Sequence, residues 1–459
     1  MFTFSETVRG SLHEKRKIVC EDASDHFAST DGKYFIAAVA DGHGAESCFR
    51  SSTGSKLAVS SALECLQKFA EAVLESEEKE QKFYDDIFSA LREQKTVLRQ
   101  LTDRITALWA DNVLKDCQKN PLPPEYAAES QKLHAYGTTL IAALRLPSCL
   151  VMIHQGDGRC EVIYSDGSTD QPVPWDERCE ANITTSMCDV DAAESFRTCA
   201  LDLRSRSVTA CYMFTDGVED AYRDTYEAID GEHSLMGGVH TFSKYLTCRL
   251  VEQGTEGLER FLSEFSAKGL YSPGGSGDDV SVAGIVDLEA AKELTAAFGR
   301  ETEIYSLEER LITLEIALSS KQRKHEALSA QLKEAEAKCD QFISAYMACI
   351  DAVMRKRKAK KLAVHLRGIE EELRGHPNHK KVLDELRKLD GEIRALDVEI
   401  AGYRHSVESW RKAIREKLLA EYEFKKYDAA YQEIVREMKK TRAEIEALKA
   451  PADAVNEQL

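Results

Sequence analysis

The feature that most constrains this chain is a heptad repeat filling its C-terminal third. Positions 304, 311, 318, 325, 332, 339, 346 and 353 read Ile, Leu, Leu, His, Leu, Cys, Tyr and Val. The alternating set at 307, 314, 321, 328, 335, 342 and 349 reads Leu, Leu, Lys, Leu, Ala, Phe and Cys. Apolar residues spaced three and four apart over seven heptads put one sticky seam on a long helix, and such a seam has to be covered by another helix. The repeat breaks at Gly375-His376-Pro377-Asn378, where glycine and proline together favour a turn. It resumes with Leu386, Ile393, Ile400, Val407 and Ile414 against Leu389, Leu396, Tyr403 and Trp410, and fades near Pro451. Two runs around one tight break predict an antiparallel helical hairpin over 300–455. Its arms fall at about 304–373 and 379–449, and each is roughly 105 Å long. A parallel dimer of such helices is the alternative. Trp410 and Tyr403 are expected to pack in the seam, and His325 and Lys321 to set its register or loosen it locally.

Residues 1–295 carry no such repeat. Tyr34–Ala40, Thr139–Leu146, Leu150–His154, Glu161–Tyr164, Ala210–Phe214 and Val280–Val286 read as strands. Several are apolar throughout, as strands buried between two layers would be. Between them, Ser60–Lys115 reads as one long helix with Leu63, Leu66, Phe69 and Val73 on a single face. The charge is divided unevenly. The chain carries −18 overall, yet from Arg300 onward 32 basic residues face 30 acidic ones, so the first part has 29 basic against 49 acidic. An excess of that sign argues against non-specific nucleic-acid binding there and suits clustered carboxylates that hold cations. The basic run Arg355-Lys356-Arg357-Lys358-Ala359-Lys360-Lys361 lies within the helical tail, where a solvated helix face is the plainer reading.

No stretch approaches the roughly 18 consecutive apolar residues of a membrane span. MFTFSETVRGS lacks the basic and apolar blocks of a secretion signal. Thirteen scattered cysteines without a CxxC pair read as reduced thiols. A cytoplasmic protein is expected.

The acids that matter follow strands. Asp41 ends Tyr34–Ala40 and opens Asp41-Gly42-His43-Gly44. Asp157 sits in Gly156-Asp157-Gly158-Arg159, and Asp216 in Phe214-Thr215-Asp216-Gly217. Asp278 and Asp279 open the last strand after Gly274-Gly275-Ser276-Gly277, and Glu21-Asp22 lies near the N-terminus. One Asp-Gly is mostly a turn signal. If these strand ends converge, however, the crowded carboxylates need cations, and an all-oxygen set favours Mg²⁺ or Mn²⁺ over Zn²⁺. A pair of such ions can activate a water against phosphorus.

Six blocks in order, CEDA at 20–23, VADGHG at 39–44, YGTTL at 136–140, GDGR at 156–159, FTDGVEDA at 214–221 and GSGDDVSV at 275–282, resemble the metal-dependent protein phosphatases of the PPM class, also called type 2C. The resemblance spans about residues 5–290. It implies an α+β fold, a four-layer α-β-β-α sandwich with two central antiparallel sheets. It also implies hydrolysis of phosphoserine and phosphothreonine with two or three Mn²⁺ or Mg²⁺ ions. By motif, Asp41 should bridge two metals, the Gly42 carbonyl should bind one, and Asp216 and Asp278 should complete the second. Glu21 and Asp22 should act directly or through waters, Asp157 with Asp216 should hold a third ion, and Asp279 should support them. His43 matches a general acid for the leaving alkoxide. Relatives place an arginine where Lys17 stands, with Arg16 beside it; lysine binds phosphate without the bidentate fork. GDSR of many relatives is GDGR here. Ser165–Ser205 follows that block where relatives carry a mobile flap; its turn-rich start fits a loop that meets substrate, and equally a plain surface loop.

The expected partners are a phosphoprotein substrate and, on the coiled coil, a kinase or other protein or a second copy in a homodimer. Membrane and nucleic acid are not expected. The competing reading is a phosphatase-like scaffold that docks through its coiled coil with little catalysis.

Overall fold

The computed structural model describes residues 1–89, 91–179, 183–222, 226–228, 231–233, 235–270 and 274–450. The chain divides into two compact units, Met1–Arg310 with Glu444–Leu459, and Leu311–Ala443.

The first unit is built on strands β1 (Phe2–Val8), β2 (Ala23–Ala28), β3 (Phe35–Ala40), β4 (Leu140–Arg145), β5 (Cys149–Gln155), β6 (Arg159–Tyr164), β7 (Thr169–Asp170), β8 (Arg197–Asp202), β9 (Val208–Phe214), β10 (Tyr226–Ala228), β11 (Gly231–His233) and β12 (Val280–Val286). They form two five-stranded antiparallel sheets, ordered β1-β12-β9-β6-β7 and β2-β3-β4-β5-β8, and a small β10-β11 ribbon. Side-chain alternation along each central strand explains the layering. Ala37, Val39, Ile141, Ala143, Met152, Val162, Met213 and Ile285 fill the space between the sheets. Their neighbours Ile36, Ala38, Leu144 and Val151 face the other way, onto helices 51–73, 77–89 and 91–119. Tyr212, Phe214, Val280 and Val282 face helices 235–253 and 258–268. The result is the four-layer α-β-β-α sandwich with two antiparallel sheets.

The expected helix at 60–115 is three segments. Ser76 Oγ accepts from Lys79 N–H at 3.3 Å, and Glu77, Glu78 and Glu80 crowd the next first turn, so a new helix starts there instead of the old one continuing. Helix 288–372 begins well before the heptads do: Ala291, Phe298 and Tyr305 are buried in the apolar cluster that covers the outer face of the first sheet.

In the second unit the helix pairs antiparallel with helices 379–402 and 404–449 of the same chain, around a turn where Gly375 has φ of 91°. His325 Nε2 meets Asp428 Oδ1 at 2.9 Å, Lys417 Nζ meets Glu336 at 3.6 Å, Tyr346 stacks on Trp410 at 3.8 Å, and Arg355 reaches Glu399 at 2.7 Å. His325 also stacks on Tyr431, so its place in the seam is satisfied. The contact face drifts from the heptad frame. Ala352 is fully buried whereas Val353 is 45% exposed, because 3.6 residues per turn slips against a strict 3.5 repeat. Near the turn the seam is narrow, made of Ala359, Ala363, Leu386 and Leu389. Pro451 lies outside the described residues.

Candidate metal centre

Strand register gathers the acids. Ala23 pairs with Ala40, Leu140 with Gln155, and Phe214 with both Arg159 and Val282. These pairings bring residues 21–22, 41–42, 139, 156–157, 216 and 278–279 to one end of the sandwich. They line a cleft of ≈ 1440 Å³ that includes Glu21, Asp41, Gly42, His43, Asp157, Asp216, Asp278 and Asp279.

Carboxylate oxygens of Asp41, Asp157 and Asp216 all lie within 4.8 Å of one another. The backbone around Asp41 is pinned from below: its N–H donates to Thr139 Oγ1 at 2.9 Å, and its carbonyl accepts from Thr138 Oγ1 and Thr139 N–H, each at 2.8 Å. Gly42 pairs with Thr138, and a Cβ there would come 2.6 Å from the Glu21 carbonyl. Only glycine lets the chain pass this close. Asp22 sits beneath the cleft, accepting from Thr215 Oγ1 at 2.7 Å, and Thr215 Oγ1 also accepts from Ser281 N–H at 2.9 Å. One hydroxyl thus ties the starts of β2 and β12 to the end of β9.

Burial and mutual repulsion show in the acid–base behaviour. Burial, then the charges of Asp216, Asp22 and Asp157, holds the Asp41 carboxyl well above the usual range. Burial and the charges of Asp157, Asp220, Asp22 and Asp278 do the same to Asp216. Burial lifts Asp22 to about 7. Glu21 is raised by burial, against a 2.5 Å hydrogen bond from Ser51 Oγ. Carboxyls that resist ionising next to one another, all offering oxygen, fit hard divalent cations that would supply the missing positive charge. His43 lies on the same wall; burial lowers its pKa, against the pull of Asp157 and Asp189. Its backbone N–H donates to the Gly137 carbonyl at 3.1 Å.

A second group, unexpected from the sequence, joins Asp278 and Asp279 to His13. His13 Nε2 lies 3.3 Å from Asp278 and Nδ1 lies 3.0 Å from Asp279. Gly10 N–H and Glu21 N–H donate to the two oxygens of Asp279 at 2.6 and 2.7 Å, so Asp279 acts as the clasp between the N-terminus and β12. Nothing in SLHEKRK marks His13, because its partners are more than 260 positions away.

Lys17 and Arg16 are exposed and neither lines the cleft; Lys17 ends helix 11–16 with a left-handed φ of 61°. The arginine that does line it is Arg159, held 2.5 Å from Glu219 and 3.9 Å above the Trp175 ring. Cys179, Ile183, Thr184, Ser186, Cys188 and Asp189, from the 165–205 stretch, wall the cleft, while 180–182 of that stretch lie outside the described residues. Gln155 anchors this wall by donating to the Ser186 and Ala192 carbonyls at 2.8 and 3.1 Å.

The model of the family described as Protein phosphatase 2C matches residues 9–263, more than half of the chain. No curated protein sequence matches. Among solved structures, the serine/threonine phosphatase Stp1 from Staphylococcus aureus is 15% identical over 62% of this chain and 95% of its own, with a TM-score of 0.35. The Mycobacterium tuberculosis serine/threonine phosphatase PstP/Ppp is 14% identical over 62% and 98%, with a TM-score of 0.36. The catalytic domain of PstP in complex with two manganese ions is 15% identical over the same shares, with a TM-score of 0.36. The chain belongs to the protein phosphatase 2C family, Mn²⁺- or Mg²⁺-dependent enzymes that hydrolyse phosphoserine and phosphothreonine in proteins.

Proposed function

We propose that the cleft at the sheet ends is the phosphatase centre, with Asp41, the Gly42 carbonyl, Asp216 and Asp278 holding two ions. Glu21 and Asp22 support that pair, and Asp157 with Asp216 holds a third. The observation that carries this reading is the meeting of Asp41, Asp157 and Asp216 within 4.8 Å of one another, on turns from three different strands. When bound, divalent ions there lower the pKa of water and neutralise charge on a phosphoryl group. The chain's own part is to fix the carboxylates through the Thr138, Thr139 and Thr215 hydrogen bonds and to leave room at Gly42. His43, on the cleft wall, protonates the departing serine or threonine oxygen, a poor leaving group as an alkoxide. Lys17 and Arg16 take no part in gripping phosphate, since neither lines the cleft. Asp279 and His13 position Asp278 and act as an orienting shell.

The helical unit directs this activity to a protein partner. The thirteen cysteines, all free, support a reducing, cytoplasmic setting. Turnover of p-nitrophenyl phosphate and of a phosphothreonine peptide with Mn²⁺, with and without Asp41→Asn, tests the site. Loss of both activities by a folded variant is expected, and unchanged Mn²⁺-dependent turnover would refute it.

A further inference from the structure

We propose that the outer face of the long helix between Glu336 and Lys361 is a self-association surface that takes the same stretch of a second copy, antiparallel. Ile343, Met347, Ile350 and Met354 form a stripe spaced 4-3-4, and each is between 40% and 58% exposed. They point away from the hairpin seam, whose buried positions along and beside this stretch are Ala335, Cys339, Ala352, Ala359 and Ala363. The helix therefore carries two apolar faces and its own hairpin covers one. A 4-3 apolar stripe is the pattern by which helices pair through interlocking side chains.

Charge selects the occupant. The 4-3 spacing continues past the apolar residues in both directions. N-terminally it reaches Asp340 and Glu336, and C-terminally Arg357 and Lys361. Among the described residues, Asp340, Arg357 and Lys361 have no ion-pair partner, and Glu336 has only Lys417, at 3.6 Å. The stripe is thus acidic at one end, apolar in the middle and basic at the other. A two-fold axis between residues 348 and 349 lays it on itself in reverse. Met347 then meets Ile350 of the second copy, and Ile343 meets Met354. Asp340 faces Arg357 and Glu336 faces Lys361, each contact occurring twice, as an isologous interface requires. A parallel pairing would stack like charge on like at both ends and be disfavoured. The contact runs over roughly 39 Å of helix. This inference concerns the helical unit alone and does not depend on the metal centre.

Sedimentation equilibrium of the full chain over a concentration series is the test. The expected species is a dimer of twice 51.4 kDa that dissociates as salt is raised. Ile350→Asp should give a monomer with unchanged helical circular dichroism. Arg357→Asp should weaken association about tenfold or more, by setting Asp against Asp340, and the double swap Asp340→Arg with Arg357→Asp should restore it. A wild-type chain that stays monomeric throughout would overturn the proposal. So would a dimer indifferent to Ile350→Asp, or a folded double swap that fails to recover.

Discussion

Asp41→Asn should make the metal-free protein more stable and the metal-loaded protein less so. Ionised carboxylates within 4.8 Å repel by at least about 3.5 kcal/mol per pair at an effective dielectric near 20. Neutralising Asp41 removes its pairs with Asp157 and Asp216, a gross relief of about 7 kcal/mol. Protonation already recovers much of this, since Asp41 and Asp216 both titrate well above the usual range. The asparagine amide keeps a polar contact to Asp22. A net gain of about 1–3 kcal/mol at pH 8 remains, or roughly 3–8 °C in Tm. The sign with pH follows from the raised pKa values. An acid that binds its proton more tightly when folded contributes stability that is full below its unfolded pKa. That stability is lost as pH rises to the folded value, about 7 for Asp22. The advantage of the variant should therefore shrink to nothing near pH 4. Scanning calorimetry after chelation, then with Mn²⁺, reads both effects. Wild type should gain about 2.7 kcal/mol at a hundredfold excess over Kd, and the variant far less. A chelated variant less stable than wild type at pH 8, with Mn²⁺ stabilisation intact, would show that these carboxylates do not share a cation site.

His13→Asn frees Asp278 and Asp279 from the imidazole between them, and should weaken Mn²⁺ binding about tenfold by titration calorimetry while leaving helical content unchanged. His43→Asn should slow a phosphoserine peptide far more than p-nitrophenyl phosphate, whose phenolate leaves without a proton; equal losses would remove the general-acid role. Gly42→Ala forces a Cβ to 2.6 Å from the Glu21 carbonyl and should cost about 2 kcal/mol or more in chemical denaturation, with loss of turnover.

Six central strands were legible because both faces are buried and most of their residues are apolar. The strands that went unread are instructive. β1, β2, β7 and β8 are the four sheet edges, and Ala23–Ala28 and Arg197–Asp202 mix polar with apolar residues because one face or one side meets solvent. Among the acids that meet in the cleft, Asp41, Asp157 and Asp216 were visible as Asp-Gly turns after strands, and Asp278 as the opening of the last strand. His13 was not, since its meaning comes from contact with Asp278 and Asp279 and from no local pattern. In the hairpin the heptads gave the pairing of the arms, but Val353 faces outward where the repeat placed it inside. The strict frame of seven cannot track a helix whose contact face turns slowly along its length.

The turns that carry Asp41, Asp157, Asp216 and Asp278 hang from the ends of β3, β6, β9 and β12, so the cleft keeps count of how the sheets are zipped. Were β12 to slide two residues along β9, its inward side chains would still point inward, and hydrophobic burial would hardly object. Asp278, however, would move by roughly 6.6 Å and leave the cluster. A cation that needs every one of these oxygens would then bind poorly. Metal uptake can thus tell the native pairing from a near miss that the greasy core alone would tolerate.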